Sequence, residues 1–422
     1  MTKVRTQLGR SSPVLVAVTA AAVTLAACGS SGTKAASSSS SSSSGASGAS
    51  GSTPAVPAPT GTPINIGVIG GQTGSQASSS SQGATVAPAW EKWVNESLGG
   101  ISGHPVKVTV VNDAEDPAKA AAAGTQLESA GVVAIVVASD NLLPAYAAQA
   151  KKKGIPLISG TANAVTWYTQ TGLYPTVTDV LSGLAAQVAV AKQFGKATKF
   201  ANLYCAENPA CAQASPILEG AAKKAGVGII SLAISASATS YTAQCLKMKQ
   251  EKVDYAQLNM SGAIGAKVVQ DCETQGYTPT WGTSSQALGK DLLAASKAKF
   301  FGPAYAFPTV ADAPAITTFR DTMTKFAKDD NWHEGAAAFT WTGLEALRKA
   351  LASAPATVTS STVTARLNAF KGENLGGLAA NKLTYSASKP VAFSSQPCYF
   401  VIGAADGKTV APNGATPVCP SA

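Results

Sequence analysis

The stretch from Val132 to Asn163 constrains the fold of this chain more than any other. Residues 132–138 form an uninterrupted apolar, β-branched run, and residues 154–159 form a shorter one. Both have the length of strands that are buried on two faces. Between them, residues 142–153 carry apolar side chains at helical spacing. Strand, helix and strand in this order predict a right-handed βαβ unit of a parallel sheet.

Both predicted strands deliver small, polar, glycine-containing loops to the same edge of the sheet. The first loop is Ser139-Asp140-Asn141 and the second is Ser159-Gly160-Thr161-Ala162-Asn163. In open α/β sheets, ligands bind in the crevice beyond the carboxyl ends of the strands. The alternative is that both loops are ordinary βα turns, because Ser, Asp and Asn are also common helix N-caps.

The first 27 residues have the pattern of an export signal. Three basic residues precede an apolar run over 13–27, which is too short and too rich in alanine for a membrane span. The run ends in Leu25-Ala26-Ala27-Cys28-Gly29, which resembles a bacterial lipobox. This resemblance implies lipidation of Cys28 and an anchor at the extracellular face of the cell membrane. The alternative is a cleaved signal with an incidental cysteine.

Composition predicts a tether followed by a large folded part. Residues 28–61 are dominated by serine, glycine, alanine and proline, with an unbroken serine run over 37–44, and cannot form a core. The whole chain holds 32 Lys and Arg against 23 Asp and Glu. Such a mild excess does not predict a nucleic-acid partner. The hydrophobic fraction of 45% and the length predict two lobes.

Six cysteines follow Cys28, and an even number favours disulfides in an exported protein. Among the possible connectivities we favour pairing in chain order: Cys205–Cys211, Cys245–Cys272 and Cys398–Cys419. A zinc site is the alternative, but the sequence has no C-x-x-C and only two histidines. We therefore predict no metal site and no cofactor.

Strand and helix patterns alternate along the rest of the chain, which predicts two parallel α/β lobes in series. Predicted strands cover 64–69, 106–111, 198–204, 228–234, 255–260 and 280–283. Predicted helices cover 84–97, 117–129, 183–194, 214–225, 241–252 and 265–275. Residues 313–351 read as mostly helical, and 375–383 and 397–402 as closing strands.

Five segments carry a resemblance to a known family. They are INIGVIGGQTGS (64–75), GGISGHPVKVTVVNDAEDPAKAAAAGTQL (99–127), VVAIVVAS with KKGIPLISGTANA (132–164), DYAQLNMSGAIGAKVVQDCETQGY (254–277) and FTWTGLEALRKAL (339–351). In order and spacing the chain resembles type I periplasmic binding proteins, the Leu/Ile/Val receptor family of ABC importers. The resemblance implies an α/β fold of two doubly wound parallel-sheet lobes, which are joined by a three-crossing hinge and close on a ligand.

The signal and tether patterns, together with this resemblance, give the expected domain limits. We predict a lipoprotein signal peptide at 1–27 and a tether at 28–61. The first lobe is expected at 62–176 with 303–377, and the second at 177–302 with 378–410. A tail at 411–422 is expected to be held by a disulfide.

The family's ligand residues carry over only in part. Its carboxylate-binding loop corresponds here to residues 139–141, and its carboxylate- and amine-binding loop to 161–163. A ligand-covering aromatic and an amine-pairing acid of the second lobe correspond to Ser261 and Ser284. An unpaired buried ammonium is costly, so the sequence predicts a small polar or amide-like solute, or an amino-acid relative bound through Asp140. The full predicted ligand set is Gln72, Ser75, Ser139, Asp140, Asn141, Ser159, Thr161, Ala162, Asn163, Ser261 and Ser284.

No complete dinucleotide, P-loop or nucleophile-elbow motif is present, so we predict no catalytic site. Five aromatic residues either line the cleft or belong to the core: Trp167, Tyr168, Trp281, Tyr305 and Trp341. The expected function is that of a monomeric, lipid-anchored receptor that delivers a small-molecule solute to an ABC permease and ATPase. The alternative is a sensory or adhesive lipoprotein on the same scaffold, without an importer.

Overall fold

The computed structural model describes residues 56–74, 76–207, 211–212, 214–392 and 397–419. The signal peptide, Cys28 and most of the tether lie outside the described residues, as do Ser75 and the last three residues of the tail. The predictions for these positions stay predictions.

The strands, in chain order, begin at Ile64 and continue to the C-terminal part of the described chain. They are β1 (Ile64–Gly70), β2 (Val106–Asn112), β3 (Ala134–Val137), β4 (Leu157–Ser159), β5 (Leu173–Tyr174), β6 (Lys199–Cys205), β7 (Gly228–Ile234), β8 (Tyr255–Asn259), β9 (Thr280–Gly282), β10 (Phe300–Ala304), β11 (Lys371–Glu373), β12 (Leu383–Thr384), β13 (Phe400–Ala405) and β14 (Lys408–Val410).

The helices alternate with these strands. They are α1 (Ala77–Ser80), α2 (Gly83–Leu98), α3 (Pro117–Ser129), α4 (Pro144–Lys152), α5 (Thr166–Thr169), α6 (Val180–Gln193), α7 (Ser215–Ala225), α8 (Thr242–Gln250), α9 (Gly262–Thr274), α10 (Lys290–Ala295), α11 (Pro314–Phe326), α12 (Ala337–Ala350) and α13 (Ser360–Asn368). Short 3-10 turns occupy Asn331–His333 and Leu375–Gly377.

The sheet of the first lobe is entirely parallel, in the order β2-β1-β3-β4-β5. Every residue of β3 is buried, as its continuous apolar sequence predicts for a strand covered on both faces. The predicted βαβ unit is confirmed as β3, α4 and β4. Helices α11 and α12 pack on α2, and α12 also contacts β3 and β4, so they complete this lobe.

The sheet of the second lobe has the order β14-β13-β10-β9-β8-β6-β7. Strands β6 to β10 are parallel, and β13 and β14 join antiparallel at one edge. Asp406 and Gly407 have positive φ angles of 54° and 73°, which suit the tight turn of a hairpin. The parallel sheet expected here is therefore extended by an antiparallel hairpin.

The described chain passes between the two lobes three times, after β5, after β10 and after β12. Asn381 holds two of these crossings together. Its side-chain amide donates to Thr178 Oγ1 (2.8 Å) and to the Cys398 carbonyl (3.0 Å), and its oxygen accepts from the Cys398 N–H (2.9 Å). The hinge is thus cross-linked by hydrogen bonds beside a disulfide.

The prediction of a strand over 375–383 is wrong. Gly376 and Gly377 have φ angles of 68° and 96°, which an extended strand cannot contain, and only Leu383–Thr384 pairs with β11. The predicted strand at 397–402 begins later, at Phe400, because Cys398 bonds to Asn381 instead of to a neighbouring strand.

The structure joins the six cysteines in the three pairs that the sequence favours: Cys205–Cys211, Cys245–Cys272 and Cys398–Cys419. Both Cys245 and Cys272 are fully buried, where they link α8 to α9. The described residues form no cluster of His, Cys, Asp and Glu suited to a metal ion. Among the described helices, none has the length and apolarity to cross a membrane.

Candidate functional site

A cavity of about 140 Å³ lies between the carboxyl ends of the two sheets. Helix α1 and the loops after β3 and β4 line it from the first lobe, and the loops after β8 and β9 line it from the second. The site therefore lies at the switch point of the first sheet, where β1 is placed between β2 and β3. The lining residues are Gln76, Ser79, Ser80, Ser139, Asn141, Asn163, Met260, Ser261, Ser284, Gln286 and Ala287.

Larger cavities exist, but other residues line them. One of them, of about 520 Å³, is bordered by Lys290, Asp330 and His333. The side chains of Asp330 and His333 are 90% and 52% exposed, so this cavity is an open surface feature. A second cavity of about 230 Å³ lies at the hinge, beside Tyr168 and Asn381. We assign the functional site to the smaller, polar cavity between the lobes.

The structure brings five residues of the predicted ligand set into this cavity: Ser139, Asn141, Asn163, Ser261 and Ser284. The other lining residues were not predicted. Their positions in the sequence could have indicated them. The serine run 78–81 follows the first predicted loop, and residues 284–287 follow a predicted strand.

Asp140 does not line the cavity, and the prediction that it contacts the solute is not supported by its geometry. Its carboxylate is fully buried and accepts hydrogen bonds from the Thr161 hydroxyl (2.7 Å), the N–H groups of Asn163 (2.6 Å) and Ala164 (2.7 Å), and Trp167 Nε1 (2.9 Å). A buried carboxylate with this many donors is compensated within the protein. Asp140 therefore fixes the loop that presents Asn163.

Thr161 is likewise buried and outside the cavity, because its hydroxyl donates to Asp140 and accepts from the Asp140 N–H (3.0 Å). Ser159 is fully buried and bonds to Thr176 at the first crossing, through its hydroxyl (3.2 Å) and its carbonyl (2.7 Å). These residues support the site loops from behind.

Ala162 and Gln72 also lie away from the cavity. Ala162 is 2% exposed, and its carbonyl accepts from the Tyr168 hydroxyl (3.5 Å). The Gln72 N–H donates to Asn112 Oδ1 (2.9 Å), which directs its loop toward β2. Ser75, in the same loop, lies outside the described residues.

The two serines of α1 that line the cavity differ in their hydrogen bonding. The Ser80 hydroxyl donates to the Gly71 carbonyl (2.7 Å), whereas the Ser79 hydroxyl is buried and has no partner among the described residues. Gln82 fixes the helix end, because its amide donates to the Ser78 carbonyl (3.0 Å) and its oxygen accepts from the Ala336 N–H (2.9 Å). Ser79 is thereby held at the cavity wall.

A contact between the lobes lies close to the cavity. The Glu334 carboxylate, in the first lobe, accepts a hydrogen bond from the Lys290 N–H at the start of α10 in the second lobe. Gly289 leaves room for this approach, because a Cβ there would collide with the Glu334 carboxylate. Burial raises the pKa of Glu334, against a smaller lowering by the bond to Lys290. This contact joins the two lobes beside the cleft.

The aromatic residues belong mainly to the core. Trp167, Trp281, Tyr305 and Trp341 are at most 2% exposed, and none of them lines the cavity. Tyr168 borders the hinge cavity instead. The cavity wall is therefore formed by hydroxyl and amide side chains with Met260 and Ala287, and none of its described lining residues is ionisable.

The fold and this cleft agree with the match of the sequence to known proteins. A family model described as periplasmic binding protein matches residues 63–399. The chain therefore belongs to the periplasmic binding protein family. No curated protein matches the sequence.

Solved structures share the two-lobed fold. A branched-chain amino acid ABC transporter protein from Thermus thermophilus with bound valine aligns with a TM-score of 0.69 at 16% identity, covering 86% of this chain and 98% of that one. A branched-chain amino acid substrate-binding protein from Streptococcus pneumoniae with isoleucine gives 0.66 and 19%, covering 85% and 99%. A fatty acid ABC transporter substrate-binding protein from Thermomonospora curvata gives 0.66 and 18%, covering 84% and 93%. At these identities the likeness establishes the fold.

Proposed function

We propose that this chain is a lipid-anchored extracellular receptor, which captures a small polar solute by hinge closure and delivers it to an ABC importer. The observation that carries the proposal is the cavity between the lobes, because its walls come from both sheets and only closure completes it. Membership of the periplasmic binding protein family and the transporter proteins among its structural neighbours support the importer as partner.

The polarity of the cavity supports a solute that is not a standard aliphatic amino acid. An ammonium group buried in the cleft needs a carboxylate partner, and the described lining residues provide none. Asp140 is fully buried, and its carboxylate already accepts four hydrogen bonds within the protein. The proposed solute therefore makes hydrogen bonds to hydroxyl and amide groups and carries no ammonium.

Calorimetric titration of leucine, isoleucine and valine into the purified chain without its signal peptide tests the choice of solute. We expect no sub-micromolar binding of any of them. A thermal-stability screen of small polar solutes is expected to give a hit, because a ligand at a hundredfold excess over its Kd raises the free energy of unfolding by about 2.7 kcal/mol. Sub-micromolar binding of valine would overturn the proposed solute class.

The anchor is tested separately at Cys28. The Cys28→Ser variant is expected to appear in the medium or to remain unprocessed, because it lacks the thiol to which the lipid is attached. Membrane fractionation with an antibody to the folded part measures this. Unchanged membrane retention of Cys28→Ser would contradict lipid anchoring.

A further inference from the structure

The geometry points to a solute that carries a carboxylate but no ammonium group, with the carboxylate at the amino-terminal end of α9. This inference rests on the proposed function and names the chemical class of the solute. It places the acidic end of the solute in the second lobe and its hydroxyl groups in the first.

Ser261 provides the main observation. It is the N-cap residue of the 13-residue helix α9, with φ −63° and ψ 153°, yet its side chain makes no capping hydrogen bond. N-cap serines usually accept a hydrogen bond from the second or third N–H of their own helix. Here the hydroxyl is buried without a partner among the described residues, and the residue is 3% exposed and lines the cavity. This hydroxyl is available to a bound group.

The helix end itself favours negative charge. The first N–H groups of a helix have no acceptor within it, and its amino terminus carries roughly half a positive charge. Gly262 follows Ser261, and a Cβ there would lie 2.6 Å from the Ala287 carbonyl oxygen. The loop that carries Ser284 and Gln286 thus packs directly against the helix end. A carboxylate in the cavity would receive the Ser261 hydroxyl and free helix N–H groups together.

The first lobe has fewer open N–H donors at this cleft. Its N–H donors at Asn163 and Ala164 are already bonded to the buried carboxylate of Asp140. Asp113 and Glu115 follow β2 in the same lobe, and the Glu115 carboxylate accepts from the Gln76 N–H (2.8 Å). The first lobe therefore has fewer open N–H donors for an acidic group, which favours the side of α9. The first lobe offers Ser79, Ser139 and Asn163 to neutral hydroxyl groups.

Size limits the solute further. The cavity of about 140 Å³ is smaller than the roughly 300–1,000 Å³ of pockets for drug-sized ligands. A short hydroxycarboxylate has the required combination of one acidic group, hydroxyl groups and small volume. An amino acid of the same size differs only in the ammonium group, for which the described lining residues offer no carboxylate.

Matched probes test this directly by thermal stabilisation and calorimetry. Lactate and glycerate are compared with lactamide, which lacks the charge, and with alanine and serine, which carry an ammonium in place of a hydroxyl. We expect lactate or glycerate to bind and to stabilise the protein. Lactamide, alanine and serine should bind at least about tenfold more weakly, which is the equivalent of one lost hydrogen bond.

Substitutions at Ser261 then locate the charge. Ser261→Asp and Ser261→Asn place side chains of equal size at the helix end, but only the first repels a carboxylate. We expect Ser261→Asp to abolish binding of the hydroxycarboxylate and Ser261→Asn to retain more of it. Ser261→Ala is expected to weaken binding about tenfold. Ser285→Ala is the matched control, because its hydroxyl is also buried without a partner among the described residues but lies outside the cavity lining.

Several results would overturn the inference. One is that lactamide binds as tightly as lactate, which would leave the proposed receptor function intact. Another is that Ser261→Asp and Ser261→Asn have equal effects. A third is that neither hydroxycarboxylate binds. Tight binding of valine would instead remove the proposed solute class itself.

Discussion

The site loops of the two lobes differ in how their polar atoms are satisfied. In the first lobe, the Asp140 carboxylate accepts four hydrogen bonds, which tie the loop after β3 to the loop after β4. In the second lobe, the hydroxyl groups of Ser261, Thr283 and Ser285 are buried without partners among the described residues. Buried polar groups are normally paired with protein or water. The loops after β3 and β4 of the first lobe therefore form a rigid platform, whereas the site loops of the second lobe, like Ser79 of α1, keep hydrogen-bonding capacity open.

The internally bonded loops set the shape of the cavity, and the unpaired hydroxyls set which solute groups it can bind. A loop that is bonded internally keeps its form whether or not a solute is present. An unpaired hydroxyl at the cavity wall gains a partner only when water or a solute enters. We infer that the unpaired hydroxyls at the cavity wall, Ser261 of the second lobe and Ser79 of the first, discriminate between solutes.

The largest effect is expected at the platform. Asp140→Ala leaves the N–H groups of Asn163 and Ala164 and the indole N–H of Trp167 without their acceptor, and should lower the free energy of unfolding by roughly 3–5 kcal/mol. Urea denaturation measures this. Ser285→Ala, which removes a hydroxyl without a described partner, should change the stability much less. Equal effects of the two substitutions would contradict the comparison between the lobes.

A medium effect is expected at the contact that joins the lobes. Gly289→Ala displaces the Glu334 carboxylate from the Lys290 N–H, and the loss of this hydrogen bond should reduce the ratio of closed to open molecules roughly tenfold. Small-angle X-ray scattering without solute measures the resulting increase in radius of gyration.

Gly220→Ala is the control for this substitution. Gly220 lies in α7, and a Cβ there meets no atom within 4 Å, so the change should stabilise the helix by roughly 0.5–1 kcal/mol. If Gly289→Ala leaves the scattering curve of the protein unchanged, Glu334 does not hold the lobes together.

The smallest effect concerns a second acid of the first lobe. Burial raises the pKa of Asp113, against a smaller lowering by the hydrogen bond from the Glu115 N–H. Because folding raises this pKa, the free energy of unfolding should fall as the pH rises from about 4 through the raised value. Asp113→Asn keeps the acceptor oxygen and removes the charge, so it should flatten this dependence on pH. Its change in the free energy of unfolding should stay below the roughly 1 kcal/mol of an average substitution.

Thermal unfolding of Asp113→Asn and the parent protein between pH 4 and pH 8 measures the difference. The variant is expected to gain relative stability toward pH 8. A relative gain toward pH 4 would show that Asp113 is stabilised as a carboxylate, and that the first lobe holds more than one compensated acid.

Local sequence patterns determined most of the secondary structure. The apolar, β-branched run before Ser139 predicted the buried strand β3, and Pro117 predicted the start of α3, where Asp116 is the N-cap. Signals of this kind act over a few residues, so they are present in the sequence itself. The resemblance to the family added the order of the lobes, which local patterns do not contain.

The roles of single polar residues were decided only by the tertiary structure. The sequence places Asp140 and Ser139 side by side, yet one is bonded inside the protein and the other lines the cavity. Ser79 and Ser261 are 182 residues apart and meet only because two sheets face each other across a cleft. Whether a hydroxyl is paired or open depends on atoms brought near by folding, and no local pattern records them.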